Sequence, residues 1–186
     1  MSQTKPKPAT YADIEALPPH VVGEILFGVL HTHPRPAPRH ARASSRLGVE
    51  LGGPFDRGRG GPGGWVILDE PELHLGSQIV VPDLAGWRRE RMPILPDTPW
   101  LEIAPDWVAE VLSPSTQRYD RTDKLAIYAA FGVAHAWYVD PIAQTLEVFA
   151  QEGGKWLLAA TFKDDDAVTA PPFEVHTFGL GVLWEG

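Results

Sequence analysis

Residues 105–141, PDWVAEVLSPSTQRYDRTDKLAIYAAFGVAHAWYVDP, place one carboxylate inside an apolar run and follow it with a loop, a lysine-bearing helical pattern and a second apolar run. Trp107, Val108, Ala109, Val111 and Leu112 read as a short buried strand. An ionised Glu110 there needs a cation, strong hydrogen bonds or a proton of its own. A bound metal ion is one source of that cation. The strand ends at Ser113 and Pro114, a helix is expected from about Arg118 to Phe131 with Gly132 as its stop, and AHAWYVD gives the next strand. The reading that follows is one mixed α/β domain.

Within that helix Asp120, Lys124 and Tyr128 recur every four residues and share a face. An acid four residues before a lysine is also the ordinary helix-stabilising pair, worth about 0.3 to 0.5 kcal/mol when exposed. Ser113, Ser115 and Thr116 end the strand and cap the helix. No G-x-S-x-G elbow surrounds them, which argues against a serine nucleophile.

Upstream, residues 1–9 read as a flexible tail and Thr10 caps a short helix, YADIEAL, stopped by Pro18 and Pro19. GEILFGVLH alternates as one strand, with Glu24, Leu26 and Gly28 on one face, and HTHPRPAP reads as a proline-broken loop. A helix is expected from Pro38 to about Leu51, then a flexible glycine-rich loop, GGPFDRGRGGPGG, without the spacing of a phosphate cradle. WVILDEPELHLGSQIVVPDLAGW reads as strands around a turn at Gly76 and Ser77, and brings Asp83 beside an apolar strand. Residues 86–105, rich in proline and charge, read as a surface excursion. TLEVFAQ and KWLLAATF form a hairpin around Glu152, Gly153 and Gly154, and FEVHTFGLGVLWEG reads as an edge strand or docking tail. With no internal repeat and no second hydrophobic core evident, residues 10–186 are expected to form a single domain.

A chain of 186 residues, 44% hydrophobic and 22% charged, suits one globular domain. Its apolar runs are too short to span a bilayer, and MSQTKPKPAT lacks the apolar centre of a signal peptide, so a cytoplasmic protein without membrane attachment is expected. Without cysteine there are no disulfides, thiolate zinc sites or thiol nucleophiles; carboxylate and imidazole remain as metal ligands. The formal net charge of -8 argues against a broad basic face for nucleic acid, but not against a local groove. Arg35, Arg39, Arg42 and Arg46 form one basic cluster and Arg88, Arg89 and Arg91 another, unless both are merely solvated surface.

Glu24, Asp83 and Glu110 lie on or beside expected strands, and hard cations such as Mg²⁺ take oxygen ligands of this kind. Lone carboxylates at strand ends are also often solvated or paired with arginine. His31 and His33 could face one way as an H-x-H pair, but spacing suggests no further ligands to complete a zinc site. His40 opens the second helix among arginines, as a phosphate contact or a plain surface histidine. The seven tryptophans are spread along the chain as core packing requires, rather than grouped as a stacking platform.

VVPDL and WVAEVLSPSTQRYDRTDKLAIYAAFGVAHAWYVDP, together with YADIEALPPHVVGEILFGVLH and APRH, resemble the bacterial Uma-two-like family, placed within the PD-(D/E)XK nuclease superfamily. The likeness covers nearly the whole chain. It implies a restriction-endonuclease-like mixed central sheet flanked by helices, with a C-terminal hairpin, and Asp83 and Glu110 on neighbouring strands binding Mg²⁺ or Mn²⁺. Glu24 matches the family's early acidic position, as a third metal ligand, and His40 its polar position at the start of the next helix. The superfamily's catalytic lysine normally follows the acid by two residues, where this chain has Leu112; the family takes it from the following helix, which matches Lys124. Glu72 either adds to the acidic site or lines the surface.

The activity this resemblance implies is metal-dependent endonucleolytic hydrolysis of phosphodiester bonds in DNA. His40, Arg39 and Arg42 would position phosphates, and a homodimer is expected. A catalytically silent binding or assembly module is the alternative of a different class, favoured by the net acidity and by Leu112. A phosphodiesterase for RNA or a nucleotide is a third.

Overall fold

The computed structural model describes residues 7–34 and 36–185; the first six residues of the expected tail and Arg35 lie outside them. Helix α1 (Tyr11–Glu15) is closed at its start by Asp13, whose carboxylate accepts the Thr10 N–H at 2.7 Å and its hydroxyl at 3.0 Å. Strands β1 (Val21–Leu26) and β2 (Val29–Pro34) then pair antiparallel, in place of the single strand and loop expected from GEILFGVLHTHP. Phe27 and Gly28 have φ of 52° and 80°, two consecutive left-handed residues that reverse the chain. Alternation runs on through such a turn, so the hydrophobic pattern alone conceals it. The hairpin sets His31 opposite Glu24 and His33 opposite Val22, and all four share a face.

Helix α2 spans Pro38–Leu51, as expected, and buries Ala43, Leu47 and Leu51. Where a flexible loop was expected, the chain first makes a π-helical turn, Gly52–Asp56, that puts Phe55 in the core. Strands β3 (Trp65–Asp69), β4 (Leu73–Leu75), β5 (Gln78–Val80) and β6 (Leu84–Arg88) follow, with the turn at Gly76 and Ser77 where expected. Residues 86–105 are less of an excursion than their composition suggests. Trp87, Met92 and Leu101 are buried, and the Trp87 indole donates to the Ile103 carbonyl at 2.8 Å.

Strand β7 (Trp107–Val111) carries Glu110. After it, α3 (Gln117–Tyr119) passes through a π-helical turn, Asp120–Lys124, into α4 (Leu125–Ala130), and the chain returns as β8 (His135–Asp140). Strands β9 (Thr145–Glu152) and β10 (Lys155–Lys163) form the expected C-terminal hairpin. The last segment is less a tail than a plug. A short pair, β11 (Ala167–Val168) and β12 (Phe178–Gly179), leads to a 3₁₀ turn, Leu180–Leu183, whose Leu180 and Leu183 are fully buried.

Six strands form the central sheet in the order β10-β9-β8-β7-β6-β3; β7 and β8 run parallel and every other pairing is antiparallel. The parallel pair requires the helical crossover between them. A second sheet, β2-β1-β5-β4, carries Glu24. Strand β7 is buried along its whole length and packs on both faces. Trp107, Ala109 and Val111 join α2 and the C-terminal plug in one cluster; Val108 joins Val80, Ile127 and Tyr128 in another. The chain therefore has a second apolar cluster that its sequence did not reveal, formed on the opposite face of the same sheet. Glu110 shares the parity of Val108, so it faces the second sheet and α4.

Candidate active site

Asp83 immediately precedes β6, whose Leu84 pairs with Ala109 of β7, so Asp83 and Glu110 come from neighbouring strands. The Val111 N–H donates to Asp83 Oδ2 at 2.7 Å, which ties the loop before β6 to the end of β7. Asp83 Oδ1 lies 3.2 Å from His40 Nε2 in the first turn of α2. Glu110 is 2% exposed. Its Oε1 accepts the Tyr128 hydroxyl at 2.5 Å, and Lys124 Nζ is 2.8 Å from Oε1 and 2.9 Å from Oε2.

Lys124 is equally buried, and its ammonium also faces the Val81 carbonyl at 3.2 Å, Glu24 Oε1 at 3.2 Å and Asp120 Oδ1 at 3.5 Å. Glu24 in turn accepts the Val81 N–H at 2.7 Å through Oε1, while its Oε2 lies 3.4 Å from His33 Nε2. The π-helical turn that runs from Asp120 to Lys124 is thus built into the site, a common location for such turns. It is held from behind by the Tyr138 hydroxyl, which donates to the Asp120 carbonyl at 2.6 Å.

These groups line a cavity of about 330 Å³ with Ser113, Ser115, Thr116, Pro36 and Ala37 among its walls. Three carboxyls, those of Glu110, Glu24 and Asp120, surround one ammonium, and Asp83 lines the same cavity. Burial pushes Glu24 up, but the Lys124 charge, His33 and the Val81 N–H together outweigh it and hold the carboxyl at about 2. Burial pushes Glu110 well above the carboxylate range; Lys124 opposes this, and the Asp120, Asp83 and Glu24 charges add to it. Burial also acts against the Lys124 charge, yet Glu110 and Glu24 raise its pKa well above that of a free lysine, so it remains an ammonium ion. His40 is raised too, because its bond to Asp83 and that residue's charge outweigh the effect of burial.

The structure thus brings Glu24, Asp83, Glu110, Lys124 and His40 into one cavity. Arg39 and Arg42 do not line it: both are exposed on α2, and Arg42 Nε donates to the Glu185 carbonyl at 2.6 Å. Glu72 is apart as well, 2.7 Å from His74. The second arginine cluster is occupied within the fold: Arg88 lies over the Trp65 ring, Arg89 pairs with Asp56 and Arg91 with Asp106. Sequence reasoning considered His33 only as half of an H-x-H pair with His31, not as a partner of Glu24, and assigned Asp120 no place in the site. The four-residue recurrence of Asp120, Lys124 and Tyr128 was the signal for the helix side; for His33 the signal lay in the unrecognised turn at Phe27 and Gly28.

Among the described residues no three His, Asp or Glu side chains are arranged as a ready-made metal cage. The donor chemistry nevertheless fits Mg²⁺ or Mn²⁺. Mg²⁺ is commonly held by one or two carboxylates, with water and substrate phosphate completing its shell.

Residues 8–181 match the model of the Uma2 family, described as "Putative restriction endonuclease". The chain belongs to the Uma2 family. No curated protein matches it significantly. Among solved structures, the Uma2 chain is similar in fold to "a putative nuclease belonging to DUF820" from Anabaena variabilis, at a TM-score of 0.76 and 22% identity over 95% of this chain and 98% of that one. The mixed central sheet with few helices is therefore the nuclease-like fold expected from the sequence.

Proposed function

We propose that this Uma2 chain is a metal-dependent endonuclease that hydrolyses phosphodiester bonds in DNA, with Mg²⁺ or Mn²⁺ at Asp83 and Glu110. The observation that carries this reading is the convergence of both carboxylates, from neighbouring strands, on one cavity that also holds a buried lysine. Stability alone does not call for such a cluster, since well-packed apolar residues serve a core at least as well as buried charges.

A divalent cation bound there supplies Lewis acidity toward a phosphodiester oxygen and lowers the pKa of its water. The chain's own groups set the geometry. Val111 N–H and His40 orient the two oxygens of Asp83, while Tyr128 and Lys124 orient those of Glu110. The Lys124 ammonium stabilises negative charge that develops on the phosphoryl group. Arg39 and Arg42, exposed on the helix that delivers His40, bind flanking phosphates with little sequence preference.

Calorimetric titration of Mn²⁺ tests the site, followed by nicking of a supercoiled plasmid with and without Mg²⁺. Saturable binding lost in Glu110→Gln and in Asp83→Ala, with metal-dependent nicking lost in the same variants, is expected. Binding unchanged in both variants, or nicking that survives a chelator, overturns the reading. One observation favours the silent-module alternative: Lys124 already compensates Glu110 and Glu24 without a metal. A wild-type chain that binds no Mn²⁺ even with DNA present would establish that alternative.

A further inference from the structure

Resting on the metal-site reading above, we propose that Glu24 and His33 are positioning residues that hold the Lys124 ammonium in place and lie outside the shell of the metal ion. An ammonium has three N–H donors. Around Lys124 Nζ the near acceptors are Glu110, the Val81 carbonyl at 3.2 Å and Glu24 Oε1 at 3.2 Å, with Asp120 farther at 3.5 Å. Glu110 is shared between two tasks, because the reading above also makes it a metal ligand. A divalent cation on the same carboxylate repels the ammonium beside it, so Lys124 stays at the site only if other oxygens hold it. Glu24 and Val81 supply that hold from the opposite sheet.

Two features place Glu24 in this role rather than in the metal's shell. Its Oε1 is committed to the Val81 N–H at 2.7 Å and to Lys124, and its Oε2 faces His33 Nε2 at 3.4 Å. The described residues also contain no metal-ready set of three acids or histidines, which a shell built from Glu24, Asp83 and Glu110 would require. Asp83, by contrast, makes no ion pair with Lys124; its partners are Val111 and His40. The β1–β2 hairpin acts as the arm. Its turn at Phe27 and Gly28 brings His33 back beside Glu24, so one side chain of the hairpin braces the other.

The test compares wild type, Glu24→Gln and His33→Gln in the full-length chain by three readouts: Mn²⁺ calorimetry, the lysine ¹⁵Nζ–¹H resonance, and steady-state cleavage. In wild type the hydrogen-bonded Lys124 ammonium should give a slowly exchanging ¹⁵Nζ–¹H peak, absent in Lys124→Met. Glu24→Gln is expected to keep Mn²⁺ affinity within about threefold of wild type while that peak is lost and kcat falls by about tenfold or more with KM little changed, as for a group needed in the transition state. His33→Gln should shift the peak and lower kcat by a smaller factor. This variant, at a partly exposed position, keeps the proposal testable if Glu24→Gln fails to fold.

Loss of Mn²⁺ affinity by more than about a hundredfold in Glu24→Gln alone, beyond what changing an outer-shell partner typically costs, would make Glu24 a ligand and overturn the proposal. An unchanged Lys124 peak in Glu24→Gln overturns it as well. Failure of the underlying reading looks different: wild type then binds no Mn²⁺, or Glu110→Gln still binds it, whatever the Lys124 peak does.

Discussion

Lys124 is a cation at 2% exposure, and its nitrogen is partnered by oxygens of Glu110, Glu24, Asp120 and the Val81 carbonyl. Breaking a buried ion pair by removing one partner typically costs about 3–5 kcal/mol, because the remaining charges lose their compensation. Lys124→Met should therefore destabilise the fold by about that amount near neutral pH. The deficit has a definite pH dependence. Burial already raises the Glu110 and Asp120 carboxyls, and Lys124 is the charge that opposes this, so without the ammonium their penalty should appear as pH rises through the ordinary carboxylate range. Urea unfolding at pH 4 and pH 7.5 checks this; a deficit larger at pH 4 would contradict it.

Glu24 in the intact chain behaves in the opposite sense. Its folded-state pKa of about 2 lies below the ordinary 4.5, so its contribution to stability is present above 4.5 and disappears as pH falls toward 2. That shift corresponds to about 3 kcal/mol at most, and Glu24→Gln should flatten the acid limb of the stability curve between those values. Tyr128→Phe removes a donor from a buried carboxyl and should cost about 1.5–3 kcal/mol in the same assay. A variant as stable as wild type would show that Glu110 finds another donor.

At the scale of elements, β6 runs close against two indoles. A Cβ on Gly86 would lie 3.2 Å from both the Trp65 and the Trp107 ring, so any side chain there forces the indoles to shift by a few tenths of an ångström. Gly86→Val should destabilise by about 1–3 kcal/mol through overpacking, read as a lower urea midpoint with unchanged slope. Long periodic elements were legible: α2, β7, β8 and the β9–β10 hairpin fall within a residue or two of expectation. The elements misread were those defined by backbone conformation. Nothing in GEILFGVLH marks Phe27 as left-handed, and GGPFD reads as a loop because its glycines have poor helix propensity, yet Phe55 draws the segment into the core.

Over the whole molecule, the acidity of the chain and the few cationic groups outside internal pairs limit how strongly it can grip phosphate. The described residues contain no helix long and apolar enough to cross a membrane. If Arg39 and Arg42 are the chief phosphate contacts, the affinity for a short duplex should fall with salt on a log–log slope no steeper than about −3, and each Arg→Ala change should reduce it by about one. A slope near −6 would point to a basic surface elsewhere. The expected homodimer remains a proposal: sedimentation velocity at assay concentration should show two copies, and a monomer would contradict it.

The sequence by itself determined the mixed α/β class, the strand–helix–strand unit around Glu110 and the identities of the acids and the lysine. Those depend on side-chain periodicity and on residue types that only certain environments tolerate, both of which are local. Only the tertiary structure decided that Lys124 is shared by Glu110 and Glu24, that His33 braces Glu24, and that Arg39 and Arg42 stay outside the cavity. These are distances between side chains carried on separate strands and helices, fixed by how the two sheets pack. Such distances follow from the sum of all the packing contacts and leave no mark in any one stretch of the chain.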